Sequence, residues 1–181
     1  MARERFEFVR CGVHYRTQEF SATEGLAITS HDAKKGGPVQ PHHWLRLTEV
    51  QTPEGEWVSL SQPRNIDAYV KAIPAAVAPH IALAEVIDAV RGYNFDFLDT
   101  WKPVPVPTRF VTDLTPRKHE GVHPILSRLE GEHLASRRDL QEFYSLRDAF
   151  GMFDASCLRA VNAALAAEKA ELEAKRKAKG G

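Results

Sequence analysis

Apolar and polar positions alternate from the start of the chain. Phe6, Phe8, Val13 and Tyr15 carry the bulky side chains on either side of Cys11-Gly12, a pattern that predicts a small antiparallel hairpin over residues 6–16. Ser21-Ala-Thr-Glu24 then has capping-box spacing, so a short helix is predicted over residues 22–34, ending at Gly36-Gly37-Pro38. Period two returns at Trp44: Trp44, Arg46, Thr48 and Val50 share one side, Leu45, Leu47 and Glu49 the other, and Thr52-Pro-Glu-Gly55 leads into Trp57 and Leu60. A second hairpin follows, with His42 and His43 on its approach. A short helix around Ile66, Ala68, Tyr69, Val70 and Ile73 is closed by Pro74, and a stronger one spans residues 75–91 with Gly92 as its stop.

The second half reads differently. Prolines at 103, 105 and 107 remove amide donors at alternate positions, so this stretch is extended and polyproline-like rather than an interior strand. The chain stays irregular through Pro116 and Pro124, with a short helix at residues 125–134. Ser136-Arg-Arg-Asp139 and Ser145-Leu-Arg-Asp148 each place an acid in a first helical turn, where the amide dipoles favour negative charge. The second of these helices carries Leu146, Phe150, Phe153, Cys157, Val161 and Leu165 at spacings of three or four, a single apolar stripe. Beyond Leu165 only Leu172 continues it, while Ala, Glu, Lys and Leu keep helix propensity high; this end is expected to fray when unbound. The expected class is therefore α+β: N-terminal hairpins, a mainly helical body and a long C-terminal helix. Three segments are expected, at 1–99, a proline-rich linker at 100–135 and a helical segment with a charged tail at 136–181.

Composition narrows the function. The 181 residues are 43% hydrophobic and 27% charged, with Lys plus Arg and Asp plus Glu balanced at 24 each, so there is no net positive field of the kind nucleic-acid or anionic-lipid binding needs. No segment approaches the roughly 20 uncharged residues that cross a bilayer, and the opening MARERFEFVR has no apolar run behind it; a cytosolic protein is expected. Cys11 and Cys157 are the only cysteines and read as reduced thiols.

The candidate chemistry is sparse. His119, Glu120 and His123 approximate a zinc-protease spacing, the basis of a small metal-dependent hydrolase reading, but Gly121 and Pro124 break the continuous helix that motif demands and no third ligand is evident. Cys11 and His14, three residues apart on a strand, point to opposite faces, which prevents thiol activation and leaves Cys11 a buried structural residue. Cys157 lies on the apolar stripe as a small core residue. The glycine pairs lack a phosphate-cradle setting, and Asp96 and Asp99 have no implied cleft. Lys175, Arg176, Lys177 and Lys179 follow Glu168, Glu171 and Glu173, the mixture of a solvated helix face rather than a phosphate-binding run. No cofactor or metal is expected.

Phe6-Glu-Phe8, Gly12-Val-His-Tyr15-Arg16 and Phe20-Ser-Ala-Thr-Glu24-Gly25 resemble the opening of tail assembly chaperones of long-tailed bacteriophages. Asp139-Leu-Gln-Glu-Phe-Tyr144-Ser-Leu-Arg-Asp148-Ala-Phe resembles the entry into the last helix of such proteins, which often ends in an alanine, glutamate and lysine tail. The hairpin from Trp44 to Leu60 and the proline-rich run lie outside the resemblance. It implies a non-enzymatic host-cytoplasmic protein, absent from the finished virion, that coats the tape-measure protein and recruits tail-tube subunits. The expected partner-binding residues are Leu146, Phe150, Phe153, Val161 and Leu165; a homo-oligomer is allowed. The rival expectation is a structural virion component: a tail-completion, neck or baseplate protein whose extended arm and long helix lock subunits together.

Overall fold

The computed structural model describes residues 3–31, 37–71, 77–110 and 121–179. The fold is α+β. Strand β1 (Arg5–Arg10) and β2 (Val13–Gln18) form the first predicted hairpin, joined at Cys11 and Gly12 with φ of 51° and 77°. Two consecutive left-handed residues make the turn whose twist matches its flanking strands, and Gly12 takes its share at no steric cost. β3 (Thr48–Gln51) and β4 (Trp57–Ser59) extend it into an antiparallel sheet of order β1-β2-β3-β4.

Register follows the period-two pattern. Phe8, Tyr15, Val50 and Val58 line up across the sheet, and the first three are buried. Burial pushes the Tyr15 phenol up to about 12. On the other face Glu7, Arg16, Glu49 and Ser59 align. There the Arg16 guanidinium pairs with Glu49 and lies 4.3 Å above the Trp57 ring, two attractions a sheet face supports across adjacent strands.

Helices cover the buried face. They are α1 (Ala22–Thr29), α2 (Pro41–Trp44), α3 (Pro63–Tyr69), α4 (Pro79–Phe95) and the single turn α5 (Phe97–Thr100). After a 3₁₀ turn at Thr108–Phe110 come α6 (Pro124–Gly131), α7 (Arg137–Glu142) and α8 (Leu146–Lys179). The main core joins Phe8, Tyr15, Phe20, Leu45, Val86 and Val90, among others, so sheet and α4 share one apolar interior.

Three boundaries depart from the sequence pattern, each for a local reason. α1 stops at Thr29: the Thr29 hydroxyl bonds back to the Leu26 carbonyl at 3.1 Å, and a β-branched run is a poor base for another turn. Residues 44–47 are not strand, because Pro41 opens a helical turn that includes His42 and His43 and that buries Leu45. This turn also sets Trp44 edge-on to Phe95 at 5.8 Å. α4 begins later than expected, at Pro79, and runs through Gly92 to Phe95. Asn94, buried in its last turn, accepts from the Phe20 amide at 2.7 Å and donates to the Val90 carbonyl at 2.9 Å, which gives the helix reason to continue past the glycine. Lys34, Gly36, Ile73, Pro74, Ala75, Pro116, His119, Glu120, Gly180 and Gly181, which figured in the sequence pattern, lie outside the described residues.

The chain forms two compact units that cut across the expected three segments. The first comprises Met1–Trp101 with Arg137–Asp148, the second Lys102–Ser136 with Ala149–Gly181. Within residues 100–135, α6 buries Ile125, Leu126 and Leu129.

Replacing Asn94 by Leu leaves the buried Phe20 amide without its acceptor. It should destabilise the first unit by about 1–3 kcal/mol, read as a lower denaturation midpoint at unchanged slope.

Candidate interaction surface

α8, 34 residues long, is ~50 Å from end to end and carries all five residues expected to bind a partner. Its start is fixed within the first unit. The Ser145 hydroxyl accepts from the Asp148 amide at 3.2 Å, and the Asp148 carboxylate takes both the Ser145 amide and hydroxyl at 3.0 and 3.1 Å, so the acid predicted in the first turn closes a reciprocal cap. Ser21 repeats this at α1, its amide donating to Glu24 at 2.9 Å and its hydroxyl accepting from the Glu24 amide at 3.3 Å. Arg3 and Arg46 add two charges to the same carboxylate.

The two capped starts lie side by side. Ser21 and Ser145 form an antiparallel bridge, and the Ala22 amide donates to the Tyr144 carbonyl at 2.9 Å. At Gly25 an added Cβ would stand 2.9 Å from the Leu146 side chain, so the glycine is there for close approach. Leu146 is consequently 2% exposed and packs within the first unit.

The other expected residues sit in the second unit in graded exposure. Phe150, Phe153 and Val161 are half-buried, and Arg128 holds its guanidinium 5.8 Å from the Phe153 ring. Arg128 also donates to the Ser156 hydroxyl at 2.6 Å and to Glu132 at 3.0 Å. The Ser156 hydroxyl, with Arg128 and Arg159 beside it, holds the Glu132 carboxyl below the usual carboxylate range. Farther along, Arg109 grips both oxygens of Glu168, its Nε at 3.0 and 3.1 Å and its Nη2 at 2.9 Å. Leu165 is 37% exposed.

Sequence reasoning missed Leu158 and underweighted Leu172, which are 51% and 53% exposed. The available signal was their seven-residue spacing about Leu165, obscured because Leu158 is off the stripe that begins at Leu146. From Lys169 to Lys177 every residue is exposed, and the helix runs through Lys179, with Glu171 and Lys175 paired one turn apart.

The remaining candidates do not converge. Cys11 and Cys157 are both free thiols and both half-buried rather than core residues. Desolvation and the Glu85 carboxylate, 3.4 Å from the Cys11 sulfur, raise that thiol above its ordinary value, the opposite of what a nucleophile needs. His123 is the N-cap of α6, its Nδ1 accepting from the Ile125 amide at 3.3 Å. Among the described residues no group of three His, Cys, Asp or Glu is placed to hold a metal ion, and no helix is long and apolar enough to cross a membrane.

Comparisons with protein-family models, with curated proteins and with solved structures give no match to this chain.

The His123 cap works only with Nδ1 unprotonated, and burial lowers the His123 pKa from its ordinary value near 6.5. The neutral ring is the folded state's preferred form. Its contribution to stability is complete above pH 6.5 and declines as pH falls toward the lowered folded pKa. Thermal unfolding followed by circular dichroism from pH 8 to 5 should show that decline in the wild type. In His123→Asn, which keeps a capping acceptor that does not titrate in this range, it should be smaller.

Proposed function

We propose that this chain is a non-enzymatic tail assembly chaperone of a long-tailed bacteriophage, working in the host cytoplasm on the tape-measure and tail-tube proteins. The observation that carries the reading is the outer half of α8, a continuous helix with Leu158, Leu165 and Leu172 exposed along it. A leucine repeated every seven residues on an exposed helix is suited to covering an apolar, coil-forming segment of another polypeptide. Only a few such side chains are available, which keeps the complex weak enough for a competing subunit to displace it.

A second observation supports the same reading. The two sequence segments that resemble tail assembly chaperones, around Phe20-Ser-Ala-Thr-Glu24-Gly25 and Tyr144-Ser-Leu-Arg-Asp148, are far apart in the chain but meet at the Ser21 and Ser145 bridge. Residues that pack on each other are constrained together, so a paired resemblance there is more informative than two isolated ones.

Purified chain should retain the tape-measure protein of its own phage in a pull-down, and Leu158→Glu or Leu165→Glu should weaken that capture about tenfold or more while leaving the circular dichroism spectrum unchanged. Mass spectrometry of finished particles should not find the chain. A folded chain that captures nothing, or one present in virions at fixed copy number, would replace this reading with the structural one.

A further inference from the structure

β1 is an edge of the sheet, so only one side of its main chain is paired. The two-residue turn makes Arg10 and Val13 a hydrogen-bonded pair, and beyond the other end of β1 the Glu19 amide donates to the Glu4 carbonyl at 3.0 Å. The even-numbered residues therefore direct their N–H and C=O groups at β2, while Arg5, Glu7 and Val9 present theirs to the opposite side. Arg10 covers the Val9 carbonyl with its guanidinium at 2.8 Å. Among the described residues the main-chain groups of Arg5 and Glu7 have no partner.

A groove runs along this edge. Between β1 and α4 lies a cleft of about 410 Å³, in which Phe6 and Tyr93 stack at 4.6 Å and Ala89 and Gly92 contribute little bulk. Strand and helix run in opposite directions along it: the Cys11 sulfur lies 3.4 Å from Glu85 towards one end, and Phe6 meets Tyr93 towards the other. Charge in the groove is one-sided. Glu85, Asp88 and Asp96 line it, all three exposed, against a single base, Arg10. Glu85 takes the Cys11 thiol as a donor, but among the described residues none of the three carboxylates is ion-paired.

We propose that the β1 edge and α4 together take up an extended basic segment of another polypeptide as a fifth strand, antiparallel to β1 like every other pairing in this sheet. Its residues opposite Arg5 and Glu7 exchange main-chain hydrogen bonds with them, which satisfies the open groups of the edge. The side chains between those residues point the other way, into the groove. There lysine or arginine lays its stem along Phe6 and Tyr93 and brings its charge to Asp88 and Asp96. An acidic segment is repelled by the same carboxylates. The outward side chains meet Arg5 and Glu7, one charge of each sign, and are not selected for charge. With only two residues of the edge open, the site holds a short stretch, and the groove rather than the ladder gives it preference. The inference uses no residue of α8, so it stands or falls independently of the client reading.

The probe is an acetylated and amidated peptide, Thr-Lys-Thr-Lys-Thr-Lys-Thr, with a fluorophore at one end. Fluorescence anisotropy with the full chain should show saturable binding, at least tenfold tighter than for the same peptide with glutamate in place of lysine. Asp88→Lys, at an exposed helix position, should weaken binding about tenfold or more while leaving the circular dichroism spectrum unchanged. Strand addition is read separately from charge. Methylating the threonine backbone nitrogens removes the donors that face β1 and should weaken binding at least tenfold, and saturating lysine peptide should slow exchange of the Arg5 and Glu7 amides at least tenfold by nuclear magnetic resonance.

Absence of saturable binding overturns the inference, as does equal affinity for the glutamate peptide or binding unchanged by Asp88→Lys. Binding that survives methylation while the Arg5 and Glu7 amides exchange as before also overturns it, because a contact through charge alone adds no strand.

Discussion

The missing side chain at Gly25 lets Leu146 approach to a distance that an added Cβ would close to 2.9 Å, and that contact sets where the long helix begins. Around it the backbone is tied down by the Ser21 and Ser145 bridge, by the Ala22 amide on the Tyr144 carbonyl and by the Leu146 amide on the Phe20 carbonyl. Phe20 is itself held by Asn94 through its amide. A short chain of hydrogen bonds therefore runs from α4 through the start of α1 to the start of α8, with every polar group in it paired inside a buried setting. The two Ser-x-x-acid caps do more than end their helices neatly. Each satisfies amides that would otherwise face a buried neighbour unpaired, so two helix termini can lie against each other.

Because this junction fixes the first turn of α8, the remaining turns can be held by other means. Arg128 secures the middle through Ser156, and Arg109 secures the outer part through Glu168. The last turns have no such partner among the described residues except the Glu171 and Lys175 pair on the helix itself. Alanine, glutamate and lysine supply propensity there, and a helix already nucleated by packing extends at little cost. The result is a helix ordered by its inner end while its outer end keeps leucines in solvent. A face already helical gives up less conformational entropy on association than a disordered tail would, so affinity is limited by the number of apolar layers rather than by ordering.

Much of this was legible in local signals. The Cys11-Gly12 hairpin, the capping box at Ser21, the capped helix start at Ser145 and the short helix after Pro124 all follow from a few adjacent residues whose physics is decided locally. Where tertiary packing decides, the pattern misleads. Trp44 and Leu45 alternate like a strand, but the burial of Leu45 and the contact of Trp44 with Phe95 are satisfied by a helical turn. Gly92 looks like a stop, but Asn94 two residues on is needed inside the core. The partition of residues 137–148 into the first unit could not be read from composition, because it depends on a glycine 121 positions before the leucine it accommodates.

The same distinction explains the candidate surface. A stripe counted at spacings of three and four from Leu146 treats the helix as having one environment, yet that helix leaves a buried junction and ends in solvent. Leu146 belongs to the first setting and Leu165 to the second, although both satisfy the same periodicity. Beyond Phe153 the relevant period becomes seven, and Leu158 joins the row that Leu146 leaves. A change of period along one helix marks where burial against the chain's own core gives way to a face open to another helix. The exposed leucines and the continuous helix beneath them are two aspects of that one transition.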